Sequence, residues 1–431
     1  MNIYSLKIAE QMEIVIEKKY FDDSWNFENA NTKRLTHCFH SYPAMMIPQV
    51  AARIIETYGK NAKLLFDPYC GTGTSLVEAN IRNIDAVGTD LNPLARLIAK
   101  AKTTPIEIKK LNIFLKEFND FIFSLQFSGK KDYSVILPKF HNIDYWFTKD
   151  VQIKLTILKE YIDNIEDESI KRFFYVAFSE TVRDSSLTRN GEFKLYRISE
   201  KKLNNFTPDV YGIMVNKLIR NKTGLMEFVQ EKKNNSSTHI HSFNTVFGIP
   251  ENIVSKDSVD IILTSPPYGD SRTTVAYGQF SRLANQWLGF SEASKIDNKL
   301  MGGKRNITIK KFGISILDDI IEKIEHKDKN RAKDVYSFYY DYLSSINNIS
   351  KVVKKSGYAC FVVGNRRVKG FTLPTDEITV EIFRKNGFEH IETIIRKIPN
   401  KRMPLKNSPT NKVGEKDTTM NYEYIVVMQK I

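Results

Sequence analysis

Cysteine is scarce in this chain. The three present among 431 residues, Cys38, Cys70 and Cys360, are scattered and form no Cys-x-x-Cys pair. That spacing argues against a zinc knuckle or a disulfide framework, and it fits a reducing cytosol; no metal is expected. Long apolar runs are missing too. A membrane span needs about 20 consecutive apolar residues, and the longest stretches, such as Tyr358 to Val363, read as buried strands. The first residues carry no charged-then-apolar leader pattern. The expectation is a cytoplasmic protein with no membrane partner. Internal repeats and long low-complexity segments are also absent, which removes solenoids from consideration.

Charge of one sign is in excess. Lysine and arginine number 64 against 50 aspartates and glutamates, a formal net charge of +14. Such a surplus suits a polyanionic partner, because cations set against phosphates release condensed counterions. A soluble protein from a lysine-rich proteome would show the same balance. The rest of the composition, 42% hydrophobic and 26% charged, is that of a globular chain long enough to bury a sizeable core.

Periodicity organises the chain. Residues 1–30 read as an amphipathic helix with a loose tail, and 44–58 as a helix that begins after Pro43. A strand at Leu64 to Asp67, a turn at Pro68 to Thr74 and a helix to Asn83 follow. A strand at Ala86 to Asp90 and a helix at Pro93 to Lys102 complete a βαβα unit, the beginning of a parallel sheet with helical crossovers. From 105 to 235 the pattern is mostly helical and rich in Lys, Phe and Tyr. Strand patterns resume at His239–Asn244, Val259–Leu263, Gly357–Val363, His390–Lys397 and Tyr422–Gln429. Helices at 333–355 and 376–386 precede the third and fourth of these, and the last two strands, with no helix between them, suit an antiparallel hairpin. The simplest organisation is one α/β domain in two pieces, 1–104 and 239–431, interrupted by a mostly helical insertion at 105–238. The polar run Glu231 to Ser237 would be the linker at the insertion's end.

Two segments of the first piece point to a bound cofactor. In Asp67-Pro68-Tyr69-Cys70-Gly71-Thr72-Gly73-Thr74, a glycine turn joins a strand to a helix, a context in which the backbone approaches a ligand closely. A dinucleotide site would want a third glycine three residues on, and Leu76 stands there instead. That departure weakens the case for NAD or FAD. In Gly88-Thr89-Asp90-Leu91-Asn92-Pro93, Asp90 ends the second strand, where a carboxylate can accept both hydroxyl hydrogens of a ribose. The alternative role for Asp90 is an N-cap of the next helix, for which Asn92 is better placed.

The third segment, Ser265-Pro266-Pro267-Tyr268-Gly269, follows a buried-strand pattern. Paired prolines stop the ladder and stiffen the turn. They would hold a serine hydroxyl, a carbonyl and an aromatic ring at the carboxyl edge of the sheet, where α/β sheets bind ligands. An exocyclic base amine is a poor nucleophile because its lone pair is delocalised into the ring. Two acceptors, the Ser265 hydroxyl and the Pro266 carbonyl, would take its hydrogens and aim the lone pair at a sulfonium methyl group. Tyr268 would stack on a base extruded from the duplex. No covalent intermediate is needed, and the chain has no Pro-Cys nucleophile of the kind a C5 methylation would use. The competing reading is a plain Pro-Pro turn with a packed tyrosine.

Together these segments resemble the amino-methyltransferase family of DNA modification enzymes. Asp67 to Thr74 is similar to the family's cofactor loop, and Ser265 to Tyr268 to its catalytic tetrapeptide, in the version typical of cytosine-N4 enzymes. His40-Ser41-Tyr42-Pro43-Ala44 resembles a further cofactor motif that touches the methionine moiety. The resemblance also puts Asn244 at the cofactor adenine. It covers about 36–105 and 239–431 and implies S-adenosylmethionine, carried by Tyr42, Pro43, Asp67, Pro68, Cys70, Gly71, Gly73, Thr74, Asp90, Asn92 and Asn244. It further implies a Rossmann-like seven-stranded sheet with a terminal antiparallel hairpin, double-stranded DNA as partner, and a cognate restriction endonuclease. The insertion lies between the second and third expected strands, whereas several family classes place their recognition region elsewhere.

The insertion is expected to read DNA. Ser185 to Gly191 is a polar loop carrying Arg189, with Lys194 and Arg197 following at strand or turn spacing, able to reach base edges and phosphates. Lys304 and Arg305, and Lys401 and Arg402, lie in two further basic segments that flank the catalytic half. The alternative in each case is a solvated surface loop. Adenine-N6 methylation, methylation of an RNA base amine, a silent DNA-binding subunit and a small-molecule methyltransferase are the rival functions.

Overall fold

Continuous apolar strands need cover on both faces, and, apart from two short antiparallel pairs (366–368 with 371–373, and 406–407 with 417–418), the chain's strands find it in one sheet of eight. In chain order they are β1 (Lys19–Phe21), β2 (Leu64–Asp67), β3 (Asp85–Thr89), β4 (Thr238–His241), β5 (Val259–Thr264), β6 (Val353–Val363), β7 (Phe388–Lys397) and β8 (Tyr422–Lys430). The computed structural model describes residues 18–127, 135–189, 192–233, 235–270, 274–291, 293, 295–398, 406–407, 417–418 and 420–431. The sheet order is β1-β7-β8-β6-β5-β2-β3-β4. Every pairing is parallel except those of β8, which runs antiparallel to both β6 and β7. From β2 the chain moves outward through β3 to β4, then returns to β5 on the other side. The topological switch point therefore lies between β2 and β5, the crevice where open α/β sheets bind ligands.

The larger helices are α1 (Pro48–Tyr58), α2 (Thr74–Ile81), α3 (Pro93–Thr103), α4 (Ile108–Phe127), α5 (Lys149–Asp163), α6 (Glu168–Asp184), α7 (Val210–Glu231), α8 (Tyr277–Trp287), α9 (Ser315–Lys327), α10 (Lys329–Ser350) and α11 (Thr375–Arg384). On one face α1 and α2 bury Val50, Ile54 and Leu76 against Leu65, Ile261 and Ile425. On the other, α9, α10 and α11 bury Leu317, Tyr342, Ile346 and Phe383 against Phe66, Phe361 and Val426. The expected helical segment is present as α4 to α7. Its core is continuous with that of the sheet domain: Phe173, Phe174, Phe178 and Leu218 share a buried cluster with Leu94, Ile98, Phe280 and Trp287 from α3 and α8.

Several boundaries differ from expectation for local physical reasons. The amphipathic helix expected over 1–30 falls partly outside the described residues; its described part is β1, an eighth strand, and a 3-10 turn at Asp23–Trp25. Parallel pairing of Lys19 to Phe21 with Thr393 to Ile395 supplies β1 with the hydrogen bonds a helix would have given. The helix expected from 44 starts at Pro48, because Ala44 is left-handed (φ 51°) and Pro48 is pre-set for the first helical turn. Helix α10 ends at Ser350 rather than 355, and β6 begins at Val353 rather than Gly357. The intervening lysines hid that strand, which kinks at left-handed Ser356 (φ 61°) and shifts register against β5. Strand β4 stops at His241, short of the expected Asn244.

Helix α7 lies directly on the 3-10 turn Leu35–Phe39, at a close approach that glycine permits. A Cβ on Gly224 would stand 2.3 Å from the Leu35 carbonyl oxygen and 2.5 Å from Cys38 Sγ. Alanine favours a helix interior by about 1 kcal/mol over glycine, but overpacking costs roughly 1–3 kcal/mol where backbone must move. Gly224→Ala is therefore expected to lower unfolding stability by up to about 2 kcal/mol in urea titration. An unchanged or higher midpoint would show that the turn gives way freely.

Candidate functional site

The strand ends at the switch point carry most of the residues marked by the sequence. Beyond β2 the chain turns through Gly71 (φ 48°) and Gly73 (φ 78°), conformations that other residues rarely adopt. A Cβ on Gly71 would meet nothing within 4 Å, because Gly71 borders an open cleft. A Cβ on Gly73 would stand 3.0 Å from Ala99 Cβ, so Gly73 lets α3 close on the turn and does not itself line the cleft.

Asp67 and Asp90 build this region. Asp67 Oδ1 accepts from the Thr264 hydroxyl at 2.6 Å and the Tyr69 N–H at 3.0 Å, and Oδ2 accepts from the Ser75 hydroxyl. Burial pushes Asp67 up from its ordinary 3.8 to about 6, against those three hydrogen bonds. Asp90 Oδ2 accepts from the Gly71 N–H at 3.1 Å and Oδ1 from the Asn92 N–H at 2.7 Å, which ties the two loops together. Burial raises Asp90 as well, opposed by those N–H groups and by Arg96. The N-cap of α3 is Asn92, whose side chain accepts from the Leu94 N–H at 3.2 Å. Its amide also donates to the Tyr42 and Ser281 hydroxyls, each at 2.8 Å. The Cys70 thiol is buried and held well above its ordinary range, which leaves no thiolate for nucleophilic work.

These residues face one cleft of about 980 Å3, mouth included. Tyr42, Pro43, Asp67, Pro68, Cys70, Gly71, Thr74, Asp90, Asn92 and Asn244 all line it, and so do Ser265 and Pro267 from the turn after β5. Residues without any spacing signal complete the wall: Phe243 and Thr245 after β4, Tyr277 at the start of α8, and Met301. Tyr277 stacks on Tyr42 with centroids 6.2 Å apart. The position of Asn244 was the available hint to its neighbours Phe243 and Thr245; Tyr277 and Met301 arrive from distant segments. Pro266 and Tyr268 do not line the cleft. Pro266 is buried, and the half-buried Tyr268 places its hydroxyl 3.4 Å from Ser265 Oγ.

The helical segment reaches the cleft from behind. Glu180 on α6 accepts from the Ser41 N–H at 3.0 Å, and Arg220 on α7 donates to the Phe39 carbonyl at 2.8 Å and to Glu180 at 2.7 Å. Together they hold the strand-like approach to Tyr42. On the loop between α6 and α7, Arg189 pairs with Glu192 at 3.4 Å and donates to the Arg197 carbonyl at 3.2 Å. Arg197 stacks over Tyr145 at 4.4 Å, and Lys194 is half-buried. Lys304 is exposed, while Arg305 is paired with Asp334 at 2.6 Å. Lys401 and Arg402 lie outside the described residues. Among the described residues no His, Cys, Asp or Glu cluster is arranged to hold a metal, and no helix is long and apolar enough to cross a membrane.

The cleft thus brings the Asp90 carboxylate, a glycine turn, aromatic walls and the Ser265 side chain to one sheet edge. Because the folded pKa of Asp67 is raised, the stability linked to its protonation is fully present below about 3.8 and is lost as pH rises through about 6. Asp67→Asn, which stays neutral, should remove that part of the pH dependence. Urea unfolding of both proteins between pH 4 and 7 tests it: the variant should gain relative to wild type as pH rises, and parallel curves would place the burial cost elsewhere.

A family model described as DNA methylase matches residues 5–101. A type II methyltransferase of Kocuria varians, M.MvaI, is 41% identical over an alignment that covers 96% of this chain and 96% of its own. Another, M.BsoBI of Geobacillus stearothermophilus, is 21% identical and spans 90% of this chain and 86% of its own. Among solved structures, an rRNA methyltransferase of Streptomyces viridochromogenes covers 90% of this chain and 88% of its own at 10% identity, with a TM-score of 0.32.

Proposed function

The chain belongs to the DNA amino-methyltransferase family, with S-adenosylmethionine as cofactor and DNA as substrate, and from that premise we propose that it methylates the exocyclic N4 amine of a cytosine flipped from a specific duplex site. The observation that carries this reading is the position of Ser265 and its Pro-Pro turn at the end of β5, directly against the cleft. The setting we propose is restriction-modification, with a cognate endonuclease as the activity it protects against.

When bound, S-adenosylmethionine supplies a methyl group on a positively charged sulfur. The residues of the cleft suit its parts: Asp90 for the ribose hydroxyls, Asn244 and Phe243 for the adenine, and Tyr42 and Pro43 for the methionine end. Glycine at 71 leaves open space that a side chain would occupy. Asp67, with three protein donors on its carboxylate, acts by shaping the loop.

Ser265 Oγ and the Pro266 carbonyl accept the two amine hydrogens, draw the nitrogen out of conjugation with the ring, and turn its lone pair toward the cleft. Tyr268 offers its ring to the extruded base. After transfer the nitrogen sheds one proton and neutrality returns. Serine in this place, rather than an acidic or amide residue, supports cytosine over adenine. The basic loop of Arg189, Lys194 and Arg197, together with Lys304, Arg305, Lys401 and Arg402, would meet the phosphates and base edges, and the helical segment 105–238 would carry target recognition.

Purified protein supplied with tritiated cofactor should label duplex DNA and not RNA. Ser265→Ala should lower turnover on the order of a hundredfold, the scale of losing one preorganised polar partner of the reacting group, while DNA affinity stays unchanged. A fully active Ser265→Ala would remove the acceptor role. Lys304→Ala should weaken binding across all sequences and reduce the log-log salt slope by about 1, as read by filter binding; an unchanged slope would take Lys304 off the phosphate track.

A further inference from the structure

Behind the catalytic turn lies an ion pair between a buried arginine and a half-buried glutamate that the chemistry above does not use. Arg396 on β7 and Glu423 on β8 are direct cross-strand partners. The Arg396 side chain is 1% exposed. Its Nε donates to the Trp25 carbonyl at 2.8 Å, its Nη2 to the Asn26 carbonyl at 3.1 Å, and its Nη1 to Glu423 Oε2. The remaining oxygen, Glu423 Oε1, accepts from the Tyr268 hydroxyl at 3.0 Å. The Tyr268 oxygen in turn stands 3.4 Å from Ser265 Oγ, a long contact with the serine as donor. The ring itself is pressed on the backbone past the end of β6, where a Cβ on Gly364 would lie 2.7 Å from Tyr268 Cδ2.

An ionised carboxylate can only accept, and a guanidinium can only donate. The direction of every hydrogen bond in this row follows from that. Arg396 donates to Glu423, so Glu423 stays an acceptor, and Tyr268 must donate to it. The Tyr268 lone pairs then face Ser265, whose single proton goes to them. What Ser265 has left is lone pairs. Burial and the Glu423 charge both keep the phenol protonated, which preserves its donor role.

We propose that Glu423, fixed by Arg396, is a positioning residue that sets the direction of the Ser265–Tyr268 hydroxyl row and so presents Ser265 to the base amine as an acceptor only. This rests on the reading of Ser265 as an acceptor for the amine. Without the row, the serine hydroxyl would rotate and place its own proton against the amine hydrogens for part of the time. The N-terminal segment gains a role in the same way: the Trp25 and Asn26 carbonyls hold Arg396, and through it the turn.

Glu423→Gln is the informative change because it is nearly isosteric. Arg396 still demands an acceptor, so the amide oxygen faces Arg396 and the amide NH2 faces Tyr268. The row is then reversed: Tyr268 accepts from the amide and its proton is free to point at Ser265. With tritiated cofactor and duplex genomic DNA, Glu423→Gln should lower kcat on the order of ten- to a hundredfold, with the KM for DNA and for cofactor within about twofold. Tyr268→Phe keeps the ring and deletes the hydroxyl, and in that background Glu423→Gln should cost nothing more. The same fold-loss in both backgrounds, or an unchanged kcat, would overturn the proposal. If Glu423→Gln fails to fold by circular dichroism, Tyr268→Phe alone decides, and a wild-type kcat for it is the overturning result. Wild-type protein that labels no DNA amine would instead overturn the methyltransferase reading, and the positioning role with it.

Discussion

Asp67 stands where the two halves of the cleft meet, and its carboxylate bonds to both. One oxygen accepts from Thr264, the last residue of β5, and the other from Ser75 in the first turn of α2. The peptide bond after Thr264 leads into Ser265. The glycine turn after β2 and the Pro-Pro turn after β5 are therefore registered against each other by one buried group across the switch point. Burying that carboxylate is unfavourable, as its raised pKa records, and three donors offset only part of the cost. Such a residue trades stability for geometry: under the proposed in-line transfer, the Ser265 turn and the cleft must agree to within a fraction of an ångström.

The rest of the molecule holds that edge from three sides. Helices α6 and α7 hold the approach to Tyr42 through Glu180 and Arg220. Helix α8 ties Ser281 to the Asn92 cap. The far strands hold the Ser265 to Tyr268 turn through Arg396 and Glu423. The helical segment is thus both an outward surface and an inward support, and its core continues into α3 and α8. Contact with DNA on its loops would bear on elements that also shape the cleft.

Local pattern carried the reading of the chemistry. The turn Asp67 to Thr74, Asp90 just past the end of β3 and the tetrapeptide Ser265 to Tyr268 are each contiguous in the chain and lie at strand ends, although Pro266 and Tyr268 do not line the cleft. The terminal hairpin of β7 and β8 was equally plain, because no helix separates two branched-residue runs. What escaped notice depends on contacts made at long range. The three residues of β1 are a strand only because β7 lies beside them, some 370 positions on. Arg396 reads as a charged interruption in a β-pattern until its register partner Glu423 is known. Tyr277 and Met301 reach the cleft through packing of distant segments, with no spacing to announce them. Ser356 shows the opposite case, in which a bulge disguised the first turn of a central strand.

The most direct test of the central claim is the identity of the methylated nucleoside. Duplex DNA modified by the purified protein with labelled S-adenosylmethionine would be digested completely and its nucleosides separated by mass spectrometry. The account predicts the label in N4-methylcytosine. Label in N6-methyladenine would contradict the assignment of the base, and label in 5-methylcytosine would contradict the acceptor mechanism itself.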